Sequence, residues 1–221
     1  MRARSALATA SVVLVLALCA LTGCAATGWD APRIAPDPVG APAAGFLPEV
    51  RPSPEATISP DPGSWEGLHP APGYRVVLLT AGDDDETRTI AQSVKDWARE
   101  EGADLQTVDA DESDPIPGIV EAMQRNPDLV IVAGEHLIDP LAIVSANHLD
   151  RSFLIVGAEI AEPTENVTAV DWTGASFRGE GLGSASDHDP ATFTPERTGA
   201  AVRAGVAGVL SGLNGLVIWI D

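Results

Sequence analysis

Between residues 74 and 221 short apolar runs alternate with amphipathic or capped stretches, and that alternation limits the folds open to the chain. Asp128-Leu-Val-Ile-Val-Ala133 is apolar at successive positions, so both faces of this strand must be covered, as in the middle of a parallel sheet. Tyr74–Thr80, Leu105–Val108, Phe153–Val156, Val167–Asp171 and Leu216–Ile220 read as further strands. Thr89–Glu101 carries Ile90, Val94 and Trp97 on one stripe and charges opposite, so it predicts a helix closed by Gly102. Asp114-Pro115 and Asp139-Pro140 each have the N-cap-then-proline form of a helix start, the second running to about Asn147. Gly174–Phe193 reads as a loop, with room for one short helical turn at 175–182. Thr194-Pro195 opens a long helix that is apolar nearly all round, the pattern of an element that is buried or covers an interface. Strand–helix alternation at this spacing implies an α/β fold, doubly wound, with a mostly parallel sheet of five to six strands.

The N-terminus has a different logic. Arg2 and Arg4 precede an apolar run from Leu7 to Leu21, about 15 residues, which is shorter than the roughly 20 that cross a bilayer as a helix. A charged head, a short apolar core and small residues at its end are the plan of a cleaved secretory signal, residues 1–23. Leu21-Thr22-Gly23-Cys24 resembles a bacterial lipobox, which implies acylation of Cys24 and a lipid bilayer as the first partner. The alternative is an ordinary signal peptide followed by an incidental cysteine. Cys19 leaves with the leader and Cys24 is the lipid site, so the exported chain has no pair of thiols for a disulfide.

Residues 24–73 read as a disordered tether. Eleven prolines fall between Ala25 and Gly73, and each fixes φ and removes a backbone donor, which breaks helix and sheet alike. Such a linker would reach about 40 Å as a flexible coil. Trp29, Phe46, Leu47, Trp65 and Leu68 are unusual in a pure linker, and Trp65–Leu68 is the stretch best placed to dock on residues 74–221.

Charge excludes one class of partner. The chain has 13 basic and 32 acidic residues, and loss of Arg2 and Arg4 leaves 11 against 32, a net charge near −21. No nucleic acid is expected to bind so acidic a surface. Ligands of open parallel sheets bind beyond the carboxyl ends of the strands. Those ends carry Asp83, Asp84 and Asp85, then Asp109 and Asp111, Glu135 and His136, Glu159, and Asp171 with Trp172. Together they form the candidate ligand-binding edge, suited to a cation or a polyhydroxylated small molecule, with Trp172 as a stacking surface. Loop ends are also acidic simply because turns and helix N-termini favour Asp and Glu, and Asp114 and Asp139 are assigned to capping on that ground.

Catalytic patterns are wanting. Asp109-Ala-Asp111 begins like a calcium loop, but Asp114 stands at position 6 and Val120 at position 12 in place of Gly and Glu. Asp187-His188-Asp189 has no partner at ligand spacing, and Gly179-Glu-Gly181-Leu-Gly183 is not the dinucleotide-binding glycine pattern. No catalytic residue, resident metal or cofactor is expected, and the chain does not read as an enzyme.

The lipobox, the first strand running into Gly82 and Asp84-Asp85, Pro127–Gly134, Phe153–Val156 and Pro163-Thr-Glu-Asn166-Val167-Thr-Ala-Val170 together resemble the N-terminal lobe of the type 1 periplasmic-binding fold. The resemblance is to the basic-membrane-protein lipoproteins, nucleoside-type receptors of ABC importers, and covers roughly Tyr74–Val170. It implies a solute-binding or sensing lobe on the extracytoplasmic face of a cell membrane, working with an ABC permease. Asp85-Glu86-Thr87-Arg88 stands where that family places a base-stacking aromatic. A single lobe would need a second one, or another copy of the chain, to enclose a ligand. The other reading is a non-enzymatic interaction lipoprotein of the cell envelope, with the apolar helix after Thr194 against a partner.

Overall fold

The computed structural model describes residues 28–29, 33–175 and 177–221, and residues 33–221 form one compact unit. Three short strands lie in the proline-rich stretch: β1 (Val39–Gly40), β2 (Thr57–Ile58) and β3 (Leu68–His69). The remaining elements follow in the order β4 (Arg75–Ala81), α1 (Asp85–Glu101), β5 (Asp104–Ala110), α2 (Ile116–Gln124), β6 (Leu129–Ala133), α3 (Ile138–Ser145), β7 (Phe153–Val156), β8 (Val167–Asp171), α4 (Pro195–Leu210) and β9 (Leu216–Trp219). Seven strands make one all-parallel sheet in the order β2-β9-β8-β7-β6-β4-β5. Among the described residues no helix is long and apolar enough to cross a membrane.

β4, β6, β7 and β8 are buried along almost their whole length, as the continuous apolar runs require of inner strands. Side chains alternate between two cores. Val76, Leu78, Leu129, Ile131, Leu154 and Val156 join Ile90, Val94 and Trp97 of α1 and Ala201, Val202 and Val206 of α4 in one. Their neighbours Val77, Leu79, Val130, Val132, Phe153 and Ile155 are equally buried and face the other side, the side of α2 and α3.

This arrangement fixes one topological detail. The β5-α2-β6, β6-α3-β7 and β8-α4-β9 connections all travel the same way along the sheet, opposite to β4-α1-β5. Yet α4 shares its face with α1. The β8-α4-β9 connection therefore has the opposite hand to the other three. By the near-universal right-handed rule it is the left-handed one.

The structure departs from the sequence reading in four places. The proline-rich stretch is ordered from Arg33 onward and supplies a seventh strand. β2 pairs in parallel with β9, Val217 N–H donates to Ala56 O at 3.0 Å and Glu55 N–H to Gly215 O at 2.7 Å. Proline blocks strands where it sits, but Thr57 and Ile58 lie between prolines and need pair on one side only. Phe46 and Trp65 are buried in the α1–α4 core, and Arg33 bridges Gly73 O at 2.8 Å and the Asp128 carboxylate. Second, neither assigned cap is a cap. α2 begins behind Pro115 with no side-chain cap, because Asp114 is held in a backbone bridge to Asp111; Asp139 lies inside the first turn of α3. Third, residues 177–182 form no helix, and only Pro190–Thr192 makes a 3₁₀ turn. Fourth, α4 spends its apolar surface on its own sheet and on α1, with Thr198, Gly199, Ala201, Val202 and Ala204 to Gly208 buried. Ala200, Val209 and Leu210 are partly buried and pack against the same core.

Candidate functional site

Strand order reverses between β4 and β6, since β5 lies on one side of β4 and every later strand on the other. The loops at such a reversal splay apart and leave a crevice at the carboxyl end of the sheet. Gly82 turns the chain after β4 with φ of 77°, and Asp84 then caps α1, its Oδ1 accepting from Thr87 N–H at 2.8 Å. The other oxygen, Oδ2, lies 2.9 Å from Nε2 of His136, which comes from the turn after β6. Nδ1 of the same ring is 3.2 Å from Glu112 Oε1, in the turn after β5. Three strand ends thus place one side chain each in a single carboxylate–imidazole–carboxylate chain. A neutral ring donates to only one of the two carboxylates, whereas an imidazolium donates to both. The chain lies directly over Gly82. A Cβ there would fall 2.8 Å from Glu112 Oε1 and 3.1 Å from His136 Nε2.

Partial burial pushes the Asp84 carboxyl upward, but the hydrogen bonds from Thr87 and His136 outweigh it and hold the group below the usual carboxylate range. Beside it opens a cleft of about 160 Å³ lined by Asp84, Thr87, Gly134 and His136 from the β4 and β6 ends. Gly157, His188 and Phe193 line it from later in the chain, with Glu86 and Glu135 also present. His188 Nε2 lies 3.2 Å from Glu86 Oε1, and its ring centroid is 6.0 Å from that of Phe193. Carboxylates, two imidazoles and one aromatic ring suit a cationic or hydroxyl-rich ligand. The volume falls below the roughly 300–1,000 Å³ of sites that enclose a small molecule, so a ligand here stays open to an opposing surface. Among the described residues no group of three or more His, Cys, Asp or Glu side chains is set to hold a metal ion.

No family model matches this chain. No curated protein matches it either. Its fold is similar to that of an ABC transporter system solute-binding protein from Aeropyrum pernix K1, at 18% identity and a TM-score of 0.39 over 45% of this chain and 29% of that one. It is similar to a periplasmic ribose ABC transporter structure from Conexibacter woesei DSM 14684, at 16% identity and a TM-score of 0.38 over 68% and 55% of the two chains. A fragment from Peptoclostridium difficile 630, provisionally assigned as a lipoprotein, matches at 15% identity and a TM-score of 0.44 over 62% of this chain and 98% of its own. The chain thus spans 29% and 55% of the two transporter-related proteins.

Of the residues expected at this edge, Asp84, Glu135 and His136 meet at the cleft. Asp83 and Asp85 flank it in solvent, Asp85 pairing with Arg88 of its own helix at 2.6 Å. Asp109 and Asp111 turn elsewhere. The first accepts from Thr80 Oγ1 at 3.1 Å, and the second folds back on Ser113 N–H and Oγ at 2.9 and 2.7 Å, which lowers its pKa. Glu159 is buried and ion-paired with Arg178 at 2.7 Å, away from this cleft. Asp171 and Trp172 are both fully buried, which removes them as ligand groups. Asp171 Oδ1 accepts from Trp172 N–H at 2.9 Å, and the indole donates to Thr192 Oγ1 at 3.1 Å and meets Phe193 edge-on at 5.0 Å. Trp172 stands where the loop folds back over β8, so it is core, not a stacking platform. Sequence spacing missed Glu112, Glu86 and Phe193 and set His188 aside, because contacts such as Glu86 to His188 span 102 residues. Cys24 lies outside the described residues.

Proposed function

We propose that this chain is a lipid-anchored, extracytoplasmic solute-binding lobe, not an enzyme, which takes its ligand in the cleft between the β4 and β6 ends and works with an ABC-type transport system. The observation that carries this reading is the Asp84–His136–Glu112 chain, assembled from three strand ends at the reversal of strand order and facing an open cleft. The shallow volume adds a requirement. A permease, a second lobe or another copy of this chain must supply the opposing wall, since tight sites bury most of the ligand surface. The lipobox-like Leu21–Cys24 supplies the anchor.

Two experiments test it. A thermal-shift screen of nucleosides, sugars, polyamines and divalent cations should give a saturable rise for one class, because a ligand that binds only the folded state stabilises it by mass action. That rise should vanish in His136→Ala. If no class raises the midpoint, the solute-binding reading fails. For the anchor, Cys24→Ser should move the protein from the membrane fraction to the soluble extracytoplasmic fraction and abolish incorporation of labelled palmitate.

A further inference from the structure

A larger cavity, about 450 Å³, opens further along the same edge, between α3, the segment after β7 and the loop at 177–182. Its apolar lining is Ile138, Ala142, Ile160, Ala161 and Leu182, and its charged lining is Arg178 with Asp139 and Glu162. The loop that closes it is tied down on both sides. Phe177 O accepts from Glu159 N–H at 2.9 Å, and Asp139 accepts from Glu180 N–H at 3.1 and 3.2 Å. Gly179, with φ of 122°, passes so near that a Cβ on it would sit 2.9 Å from Asp139 Oδ1. These ties hold the outer wall of the cavity, and its size falls within the range of small-molecule sites.

Arg178 is the unusual member. Its Nε contacts Glu159 Oε1 at 2.7 Å, and the Glu159 side chain is only 6% exposed while that of Arg178 is 39% exposed. Burying an ion pair seldom stabilises a fold more than an apolar pair of the same volume. The ion pair engages the inner nitrogen, and Arg178 also lines the cavity, where a planar guanidinium suits a carboxylate. Leu182, 58% exposed beside that cavity, presents apolar surface for a ligand to cover. Burial pushes the Glu159 carboxyl above its usual range and the Arg178 charge only partly offsets this.

We infer that this cavity is a second ligand site, specific for a zwitterionic α-amino acid with an apolar side chain. Arg178 takes the carboxylate, Asp139 and Glu162 face the ammonium, and the isoleucine–alanine–leucine lining takes the side chain. One cationic and two anionic groups around an apolar lining match a molecule that carries both charges and an apolar body. Neither a simple amine nor a fatty acid satisfies all three. The site does not depend on the cleft at Asp84 and His136.

Calorimetric titration of the purified full chain tests the assignment with three probes: L-leucine, 4-methylpentanoate and 3-methylbutylamine. L-leucine should bind saturably, and each of the other two, lacking one charged end, at least about tenfold more weakly. Arg178→Lys, which keeps the charge but loses the fork, should weaken L-leucine by about tenfold. Ala142→Trp, which fills the cavity and leaves the ion pair alone, should abolish binding with the thermal midpoint kept. His136→Ala should leave L-leucine binding intact, which separates this site from the cleft. No saturable binding of L-leucine, binding that survives Ala142→Trp, or equal affinity for the amine would each overturn the proposal.

Discussion

At the scale of single residues, Asp84 and Asn166 show two uses of side-chain hydrogen bonding. Asp84 spends one carboxylate oxygen on the α1 amide of Thr87 and the other on His136, so its charged form is favoured in the fold. Its folded pKa lies below the ordinary value of 3.8. A depressed carboxyl contributes stability that is complete above the unfolded value, near pH 4, and disappears as pH falls through the folded one. Urea midpoints of the wild type and Asp84→Asn should therefore differ at pH 6 and converge toward pH 2. A gap that stays constant with pH would show that the carboxylate charge is irrelevant. Asn166 is 6% exposed, and its Nδ2 serves the carbonyls of Ser145, His148 and Arg151 at 3.1, 3.0 and 2.9 Å, closing the turn after α3. Asn166→Ala leaves those acceptors without this donor, and urea unfolding should report a loss of about 1–3 kcal/mol. Asn166→Asp, isosteric but unable to donate, should cost at least as much.

At the scale of elements, α4 explains why the fold was legible and its site was not. The apolar runs of β4, β6, β7 and β8 state their own burial, since each residue must be covered whichever way it points. The stripe of Ile90, Val94 and Trp97 and the Gly102 stop likewise mark α1. These signals are local and survive without tertiary information. α4 is ambiguous in sequence, because an all-round apolar helix suits an interface or a core equally. The structure decides by contact distance. A Cβ on Gly205 would lie 2.6 Å from Leu154 Cδ1 and 2.7 Å from Val170 Cγ2. Gly205 is thus a packing residue, set where the helix backbone approaches β7 and β8. Gly205→Ala should gain about 1 kcal/mol in helix propensity but lose about 1–3 kcal/mol to overpacking, a net destabilisation visible in the thermal midpoint. A rise in midpoint would mean that the helix stands off the sheet. Carboxylates at the strand ends carry no comparable local signal. Asp84, Asp111 and Asp171 share a residue type and a place at a strand end, yet one caps a helix at the cleft, one closes its own turn and one is buried. Only the fold separates them, which is why Trp172 read as a ligand surface and Glu112 was overlooked.

At the scale of the whole molecule, the proline-rich segment changes what the folded unit is. Residues 33–73 do not merely connect. Arg33 is pinned to Asp128 and to Gly73 O, β1 and β3 pair with each other, and β2 covers the open edge of β9. Phe46 and Trp65, 1% and 5% exposed, lie in the α1–α4 core. Losing a buried Phe or Trp side chain costs about 3–5 kcal/mol. Two such losses approach the roughly 5–15 kcal/mol total stability of a domain this size. A chain that starts at Tyr74 should therefore be molten or aggregated, with bound hydrophobic dye and no cooperative melt, while one that starts at Arg33 should melt cooperatively. Trp65→Ala in the longer chain isolates the packing part of the effect, and should lower the midpoint without abolishing the transition. If the two chains melt at the same temperature, the segment is a passive tether after all, and the burial of Phe46 and Trp65 contributes nothing that the residues after 73 cannot supply alone.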